Sequence, residues 1–106
     1  MTSVFHENVI DCADPAVVAA FWGQAFGWEP KQQGPFWWMS ASGNPADSPV
    51  FVFQPVPEPR TVKNRMHFDV VVRDCEPAEE VERLEGLGAT RVDMAAVKMT
   101  PVWMAL

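Results

Sequence analysis

The chain has 106 residues, enough for one domain that buries roughly two thirds of its unfolded surface. Its hydrophobic share of 48 % and charged share of 21 % are ordinary for a globular protein and argue against a disordered chain. The net charge of −6 argues against a nucleic-acid partner, because neutralisation of phosphates dominates that affinity.

The N-terminus and the cysteines indicate a cellular compartment. No basic segment precedes an apolar core, and no apolar run approaches the roughly 18 residues of a membrane span. We therefore expect a soluble, cytoplasmic protein with no membrane partner. Cys12 and Cys75 form no CxxC motif, which favours two buried free thiols over a structural disulfide.

The first half begins with a strand and a helix. Val4–Cys12 is suited to a strand. Asp14 is placed to cap the following helix, Pro15 suits its first position, and Gly27 is placed to end it. Apolar side chains at helical spacing predict a buried face for this helix: Val17, Val18, Phe21, Trp22, Ala25 and Phe26.

Three further strands and a connection complete the first half. We predict strands at Trp28–Gln32, Phe36–Ser40 and Val50–Gln54, with a hairpin loop at Ala41–Pro49. The prolines of Pro55–Pro59 favour a stiff connection between the two halves.

The second half follows the same order. Met66–Arg73 predicts a strand, and Asp74 is placed to cap a helix with Pro77 in its first turn and Gly88 as its stop. Thr90–Asp93 predicts a short strand.

The two halves resemble copies of one unit. Glu7 stands at the same distance before Asp14 as His67 does before Asp74. Side chains alternate between the faces of a strand, so His67 and Asp69 share one face, opposite an apolar one. We therefore predict an α+β fold built from two strand–helix–strands modules.

The repeat is incomplete at its end. Pro101–Leu106 resembles the first-half segment Pro35–Met39, but only Ala105 and Leu106 follow Met104. We therefore expect module one at about 1–58 and module two at about 64–106, within a single domain of residues 1–106. The second module is expected to lack its last strand.

Several segments together resemble a known family. They span most of residues 4–92: Val9–Pro15, Ala20–Trp22, Gly27-Trp28, Phe53–Pro59, Lys63–Asp69 and Glu80–Thr90. These residues resemble the vicinal oxygen chelate superfamily, which includes glyoxalase I, extradiol dioxygenases and bleomycin-resistance proteins. More narrowly, they look like its bacterial glyoxalase-like branch. The resemblance implies two βαβββ modules that form a curved mixed sheet, with helices outside and a cup inside.

The resemblance also implies where a metal would bind. Metal-dependent members carry ligands on the first and last strands of each module, and these positions fall on Glu7, Gln54 and His67. Such donors suit divalent Fe, Mn, Ni, Co or Zn. Two features depart from the family pattern: position 7 is Glu where relatives usually have His, and the glutamate of the final strand is not in this sequence. His6 lies one residue from the ligand position and is expected on the other face.

Three functions are compatible with these residues. The first is a metal-free protein that binds a small aromatic or apolar ligand in the cup. Its pocket would be walled by Trp37, Trp38, Trp103 and the strand ending at Gln54.

The second is a metal-dependent lyase, isomerase or dioxygenase acting on a substrate with vicinal oxygens. In that enzyme Glu7 or Asp69 would be the catalytic base. The third is a shortened relative with no ligand of its own. We also predict a homodimer, because a module without its closing strand leaves the edge of Pro101–Leu106 unpaired.

Basic residues beside the proline-rich connection leave one alternative open. Arg60, Lys63 and Arg65 are typical of a solvated loop, or of a rim that attracts an anionic ligand.

Overall fold

The structure is a computed structural model that describes residues 1–47, 50–62, 64–92 and 103–105, with the side chains of Val92 and of residues 103–105 left aside. The chain divides into two compact units, Met1–Lys63 (unit 1) and Asn64–Leu106 (unit 2). The predicted α+β class is confirmed, with two helices and a mixed four-stranded sheet among these residues.

Unit 1 contains one helix and all four strands of this sheet. Its elements in chain order are β1 (Glu7–Cys12), α1 (Pro15–Phe26), β2 (Lys31–Gln33), β3 (Phe36–Met39) and β4 (Val50–Pro55). The sheet order is β1-β4-β3-β2, in which β1 and β4 are parallel and the other pairs antiparallel. Two predicted strand starts were wrong, since β1 begins at Glu7 rather than Val4 and β2 begins at Lys31 rather than Trp28, while the ends of β2, β3 and β4 each differ by one residue.

The ends of α1 follow from local chemistry. The side chain of Asp14 accepts a hydrogen bond from the Val17 amide at 3.5 Å, and Pro15 occupies the first turn. Gly27 ends the helix with φ 74, a left-handed conformation that costs glycine little. The predicted cap and stop of this helix are confirmed.

The core of unit 1 lies between α1 and one face of the sheet. α1 packs against β1, β3 and β4. The side chains of Ala19, Met39 and Phe53 are fully buried, and Phe21 is 6 % exposed. Aromatic rings at centroid distances of 5.0 to 6.2 Å extend this core: Trp22, Phe26, Trp28 and Phe51. The predicted core role of the α1 aromatic residues is confirmed, whereas Val17, predicted on the buried face, is 62 % exposed.

Unit 2 contains a helix and a two-stranded sheet. Its elements are α2 (Pro77–Gly86), β5 (Thr90–Val92) and β6 (Trp103–Ala105), and the two strands pair antiparallel. The N-cap of α2 is Glu76, whose side chain makes no capping hydrogen bond. The prediction that Asp74 caps this helix was therefore wrong, because the helix starts at Pro77 and its cap directly precedes it.

Residues 66–73 form no strand, which corrects a second prediction for unit 2. Met66 is 84 % and Val71 86 % exposed. In unit 1 the backbone of β1 bonds to β4, whereas the described strands of unit 2, β5 and β6, bond to each other. A period-two pattern without a neighbouring strand does not satisfy its backbone donors and acceptors. The two-module cup and the single-domain assignment therefore stay predictions.

Two global expectations can be compared with the described residues. None of the helices in these ranges is long and apolar enough to cross a membrane. Cys12 and Cys75 are both free thiols, but the prediction that they are buried was wrong, since Cys12 is half-buried and Cys75 is exposed. Burial, followed by the charges of Asp11 and Asp14, raises the pKa of the Cys12 thiol.

Candidate functional site

The face of the unit 1 sheet opposite α1 carries a depression of about 370 Å³, here called the sheet depression. Its lining alternates along each strand with the core residues, as the pleat requires. β1 contributes Glu7 and Val9, and β3 contributes Phe36 and Trp38. Further lining comes from Gln33, Pro45 and alternate β4 residues.

The strand register arranges the centre of the sheet depression as a row. Val9 pairs with Val52, Val52 pairs with Trp38, and Trp38 pairs with Lys31. Directly paired side chains lie on the same face. An apolar strip therefore runs across the sheet from β1 to the indole of Trp38.

A second row of paired residues lies two positions further along the strands and is polar where it crosses β1 and β4. Asp11 pairs with Gln54, and the Gln54 Nε2 donates a hydrogen bond to the Asp11 Oδ1 at 2.8 Å. On the β2 side, Phe36 pairs with Gln33. A carboxylate can only accept hydrogen bonds, so the nitrogen of the Gln54 amide faces Asp11 and its oxygen stays an acceptor.

The sheet depression carries a carboxylate at the start of β1. Glu7 pairs with Val50 across the parallel strands, and its carboxylate lies 3.5 Å from the imidazole of His6. The Glu7 side chain is 34 % exposed, whereas that of His6 is 79 % exposed. Glu7 and His6 both line the depression at this end, and the Glu7 side chain is the less exposed of the two.

A basic side chain, that of Lys31, lies at the β2 edge of the sheet, on the same face as the depression. The Lys31 ammonium lies 5.4 Å from the centroid of the Trp38 ring and donates to the Gly43 carbonyl at 3.0 Å. Both contacts are favourable for a cation. Lys31 therefore ties the 40–47 loop to the wall of the sheet depression.

That loop holds its own conformation by local hydrogen bonds. The Ser40 hydroxyl donates to the Asn44 carbonyl at 2.9 Å and accepts from the Gly43 amide at 3.1 Å. The Ala46 amide donates to the Asn44 side chain at 2.9 Å. These bonds place Pro45, between them, in the wall of the depression.

The structure places three of the proposed site residues together. Glu7, Trp38 and Gln54 all line the sheet depression. Trp37 pairs with Phe53 and so belongs to the opposite, helix-facing side of the sheet.

The remaining proposed residues belong to unit 2. The His67 Nδ1 lies 3.0 Å from the Asp69 Oδ1, with both side chains largely exposed. Trp103 lies in β6, and its side chain is outside the described residues.

The strand register places the proposed metal ligands of unit 1 in different rows of the sheet. Glu7 pairs with Val50 and Gln54 pairs with Asp11. The Cα atoms of Glu7 and Gln54 are therefore about 13 Å apart along the strands. Direct ligands of one ion must each approach it to about 2.0 to 2.2 Å. In the described part of the chain, no group of three or more His, Cys, Asp or Glu could hold a metal. A role for His67 in metal binding stays a prediction.

Sequence reasoning missed several lining residues. Val9, Gln33, Phe36 and Pro45 line the sheet depression but were not proposed for it. The expectation that His6 lies on the other face was wrong: His6 lines the depression too, because it precedes β1 and strand alternation does not apply to it. Alternation along β3 could have found Phe36, since it shares a face with Trp38. No sequence signal indicates Pro45, because its position depends on the folded loop.

The chain matches a known protein family. Residues 7–104 match the family described as the glyoxalase-like domain. A search of curated proteins and a search of solved structures gave no significant match. The family match covers nearly the whole chain and confirms the resemblance seen in the sequence. This chain belongs to the glyoxalase-like domain family, a member of the vicinal oxygen chelate superfamily.

Proposed function

We propose that the protein binds a small, aromatic or apolar ligand in the sheet depression of unit 1. The observation that carries this proposal is the apolar strip of Val9, Val52 and Trp38, with Phe36 beside it. Val9 is 49 % exposed and Phe36 is 40 % exposed. Its cavity volume of about 370 Å³ is within the range of small-molecule sites.

The two faces of the sheet differ in a way that supports a ligand. α1 covers one face and buries Phe53 completely. The face with the sheet depression carries aromatic and β-branched side chains that no element of unit 1 among the described residues covers. Exposed apolar surface that is grouped in a concavity is typical of a binding site.

The magnitude of the apolar contribution is modest. Burying roughly 100 Å² of apolar ligand surface contributes about 2.5 kcal/mol, and ring contacts add about 0.5 to 1.5 kcal/mol. Part of this offsets the entropy lost on association. Polar contacts at the ends of the sheet depression are therefore needed for selectivity.

Tryptophan fluorescence of matched variants tests the proposal. A panel of small aromatic compounds is titrated into the wild type, Trp38→Phe and Trp37→Phe. We expect Trp38→Phe to lose most of the ligand-induced change, whereas Trp37→Phe retains it, because Trp37 lies on the helix-facing side. No response of the wild type across the panel, or an unchanged response in Trp38→Phe, would contradict the proposal.

The metal-dependent lyase, isomerase or dioxygenase has less support. The register separates Glu7 from Gln54, and the proposed base Asp69 is bonded to His67 in unit 2. Elemental analysis of the purified protein, with activity assays after adding Fe, Mn, Ni or Zn, tests this alternative. Stoichiometric metal in the wild type that is lost in Glu7→Gln would support the metal-dependent enzyme.

We also propose that the protein is a homodimer. Exposed apolar side chains in unit 2, at Met66, Val70 and Val71, support an interface, with Val71 86 % exposed. Light scattering should give twice the monomer mass, and Val71→Asp should lower it. Val17→Asp on the exposed surface of α1 is the control, since Val17 is 62 % exposed. A monomer at all protein concentrations would contradict this proposal.

A further inference from the structure

We propose that the ligand of the sheet depression is an arylalkylamine, an aromatic ring joined to a primary amine by a short alkyl chain. Its ring lies on Trp38 and Phe36, and its positively charged nitrogen lies at the β1 edge, between Glu7 and Asp11. This inference rests on the proposed function and deepens it by naming the ligand class.

The acidic groups are arranged around one apolar position. Glu7 and Val9 line the sheet depression, and Asp11 shares their face of β1 by alternation. The two acidic residues lie on either side of Val9, each about 7 Å from it along the strand. All three residues are exposed. A cation above Val9 therefore has a carboxylate on both sides.

The Gln54 amide adds an acceptor to this end. Its nitrogen donates to the Asp11 carboxylate at 2.8 Å, which directs its oxygen away from Asp11. Gln54 lines the sheet depression, so this oxygen is available to a ligand N–H there. Asp11 thus acts both as a charge and as a positioning residue for Gln54.

The ammonium charge on this face is distant from β1, and the basic group beside Glu7 is the imidazole of His6, which lines the depression 3.5 Å from that carboxylate. Among the described residues no lysine or arginine lines the sheet depression. Lys31 lies beside it on β2, three strand spacings or about 14 Å from β1, and is held by Gly43 and Trp38. A ligand carboxylate would therefore be repelled at the β1 edge, where an ammonium is attracted.

The strand spacing sets the length of the ligand. Trp38 on β3 and Val9 on β1 are two strand spacings apart, or about 10 Å. A ring over Trp38 reaches the carboxylates with its nitrogen if a short, flexible chain separates the two. The net charge of −6 further favours the approach of cations.

Two commercial compounds with the same ring and a similar chain length separate charge from shape. 4-Phenylbutylamine and 4-phenylbutyrate are titrated into the full chain at low salt, with binding followed by tryptophan fluorescence. We expect the amine to bind at least about tenfold more tightly, because charge-assisted hydrogen bonds are the stronger ones. Added salt should reduce this preference.

Charge-neutralising variants assign the preference to β1. Glu7→Gln and Asp11→Asn should each reduce the preference for the amine severalfold. Glu29→Gln, which removes the same charge beyond α1, should leave it unchanged. Amide spectra by NMR check that each variant keeps the wild-type fold.

Each outcome decides between the two proposals. Equal binding of both compounds, or tighter binding of the butyrate, would overturn the amine inference and leave the binding function standing. An amine preference that survives both Glu7→Gln and Asp11→Asn would also overturn it. If neither compound binds the wild type, the inference is overturned, and the broader aromatic panel then decides the binding function separately.

Discussion

Residues 7–12 and residues 66–73 carry similar alternating side chains, but only the first segment forms a strand. In unit 1 the parallel partner β4 supplies the backbone hydrogen bonds of β1, and α1 covers its apolar face. In unit 2 the described strands pair with each other, and Met66 and Val71 stay exposed. The difference shows that alternating apolar and polar side chains make a segment suitable for a strand. Whether the strand forms depends on a partner strand that pairs with it.

The two helices show the same contrast. α1 has a side-chain cap, a left-handed glycine stop and a buried apolar face. α2 has acidic residues in its first turn but no capping hydrogen bond from Glu76, and Val81 is its buried side chain. The four predictions below test this contrast, in order of decreasing effect.

The largest effect is expected in the core of unit 1. Phe53→Ala removes a fully buried ring between α1 and β4, and should cost about 3 to 5 kcal/mol of unfolding free energy. Val71→Ala in unit 2 should change stability by about 0.5 kcal/mol or less, since Val71 is 86 % exposed. Urea unfolding followed by circular dichroism measures both. A cost at Val71 comparable to that at Phe53 would show that residues 66–73 pack in solution.

The same substitution should have opposite effects in the two helices. In Gly23→Ala the new Cβ would lie 2.7 Å from the Pro30 Cγ and 2.9 Å from the Trp28 carbonyl oxygen, so α1 should lose about 1 to 3 kcal/mol. Gly86→Ala meets no atom within 4 Å and should stabilise α2 by up to about 1 kcal/mol. Hydrogen exchange of the amides in each helix provides the comparison. Equal effects at both sites would contradict the close packing of α1.

The two helix N-caps should differ by about 1 kcal/mol in their contribution to helix stability. Asp14→Ala removes the hydrogen bond to the Val17 amide and should destabilise α1 by about that amount. Glu76→Ser supplies the cap that α2 lacks and should slow amide exchange in its first turn. If Asp14→Ala leaves the exchange of α1 unchanged, the observed cap contributes nothing.

The smallest effect concerns an ion pair on α2. The hydrogen bond from Arg83, at 3.1 Å for Nη2, lowers the pKa of the Glu80 carboxyl. The pair should therefore stabilise the helix above the carboxyl's ordinary pKa, and this contribution should be lost as the pH falls through the lowered value. Arg83→Met should cost about 0.3 to 0.5 kcal/mol at neutral pH and nothing in strong acid. Arg60→Met, which removes the same charge from unit 1, should show no such pH dependence.

Local chemistry made part of this fold predictable. The cap at Asp14, the proline after it and the stop at Gly27 depend on neighbouring residues only, and all three are observed. The strand predicted at Met66–Arg73 depended on a distant partner, which no nearby residue reveals. The cap predicted at Asp74 failed because a proline three residues later sets the start of the helix at Pro77.

The candidate site was predictable in its residue types rather than in its geometry. Glu7, Trp38 and Gln54 were proposed from the sequence, and all three line the sheet depression. The pairing of Asp11 with Gln54 joins residues that are 43 positions apart, so it could not be read from local spacing. That register separates Glu7 from Gln54 and is the main reason for favouring an organic ligand over a metal.

The pairing of β1 with β4 also has a kinetic consequence. Asp11 leaves the ribosome 43 residues before Gln54, which at about 5 to 20 residues per second is a delay of roughly 2 to 9 s. Throughout that time Ile10 and the apolar side of the nascent α1 have no sheet to cover them. The apolar side chains of the first strand and helix therefore stay uncovered on the growing chain until the fourth strand emerges.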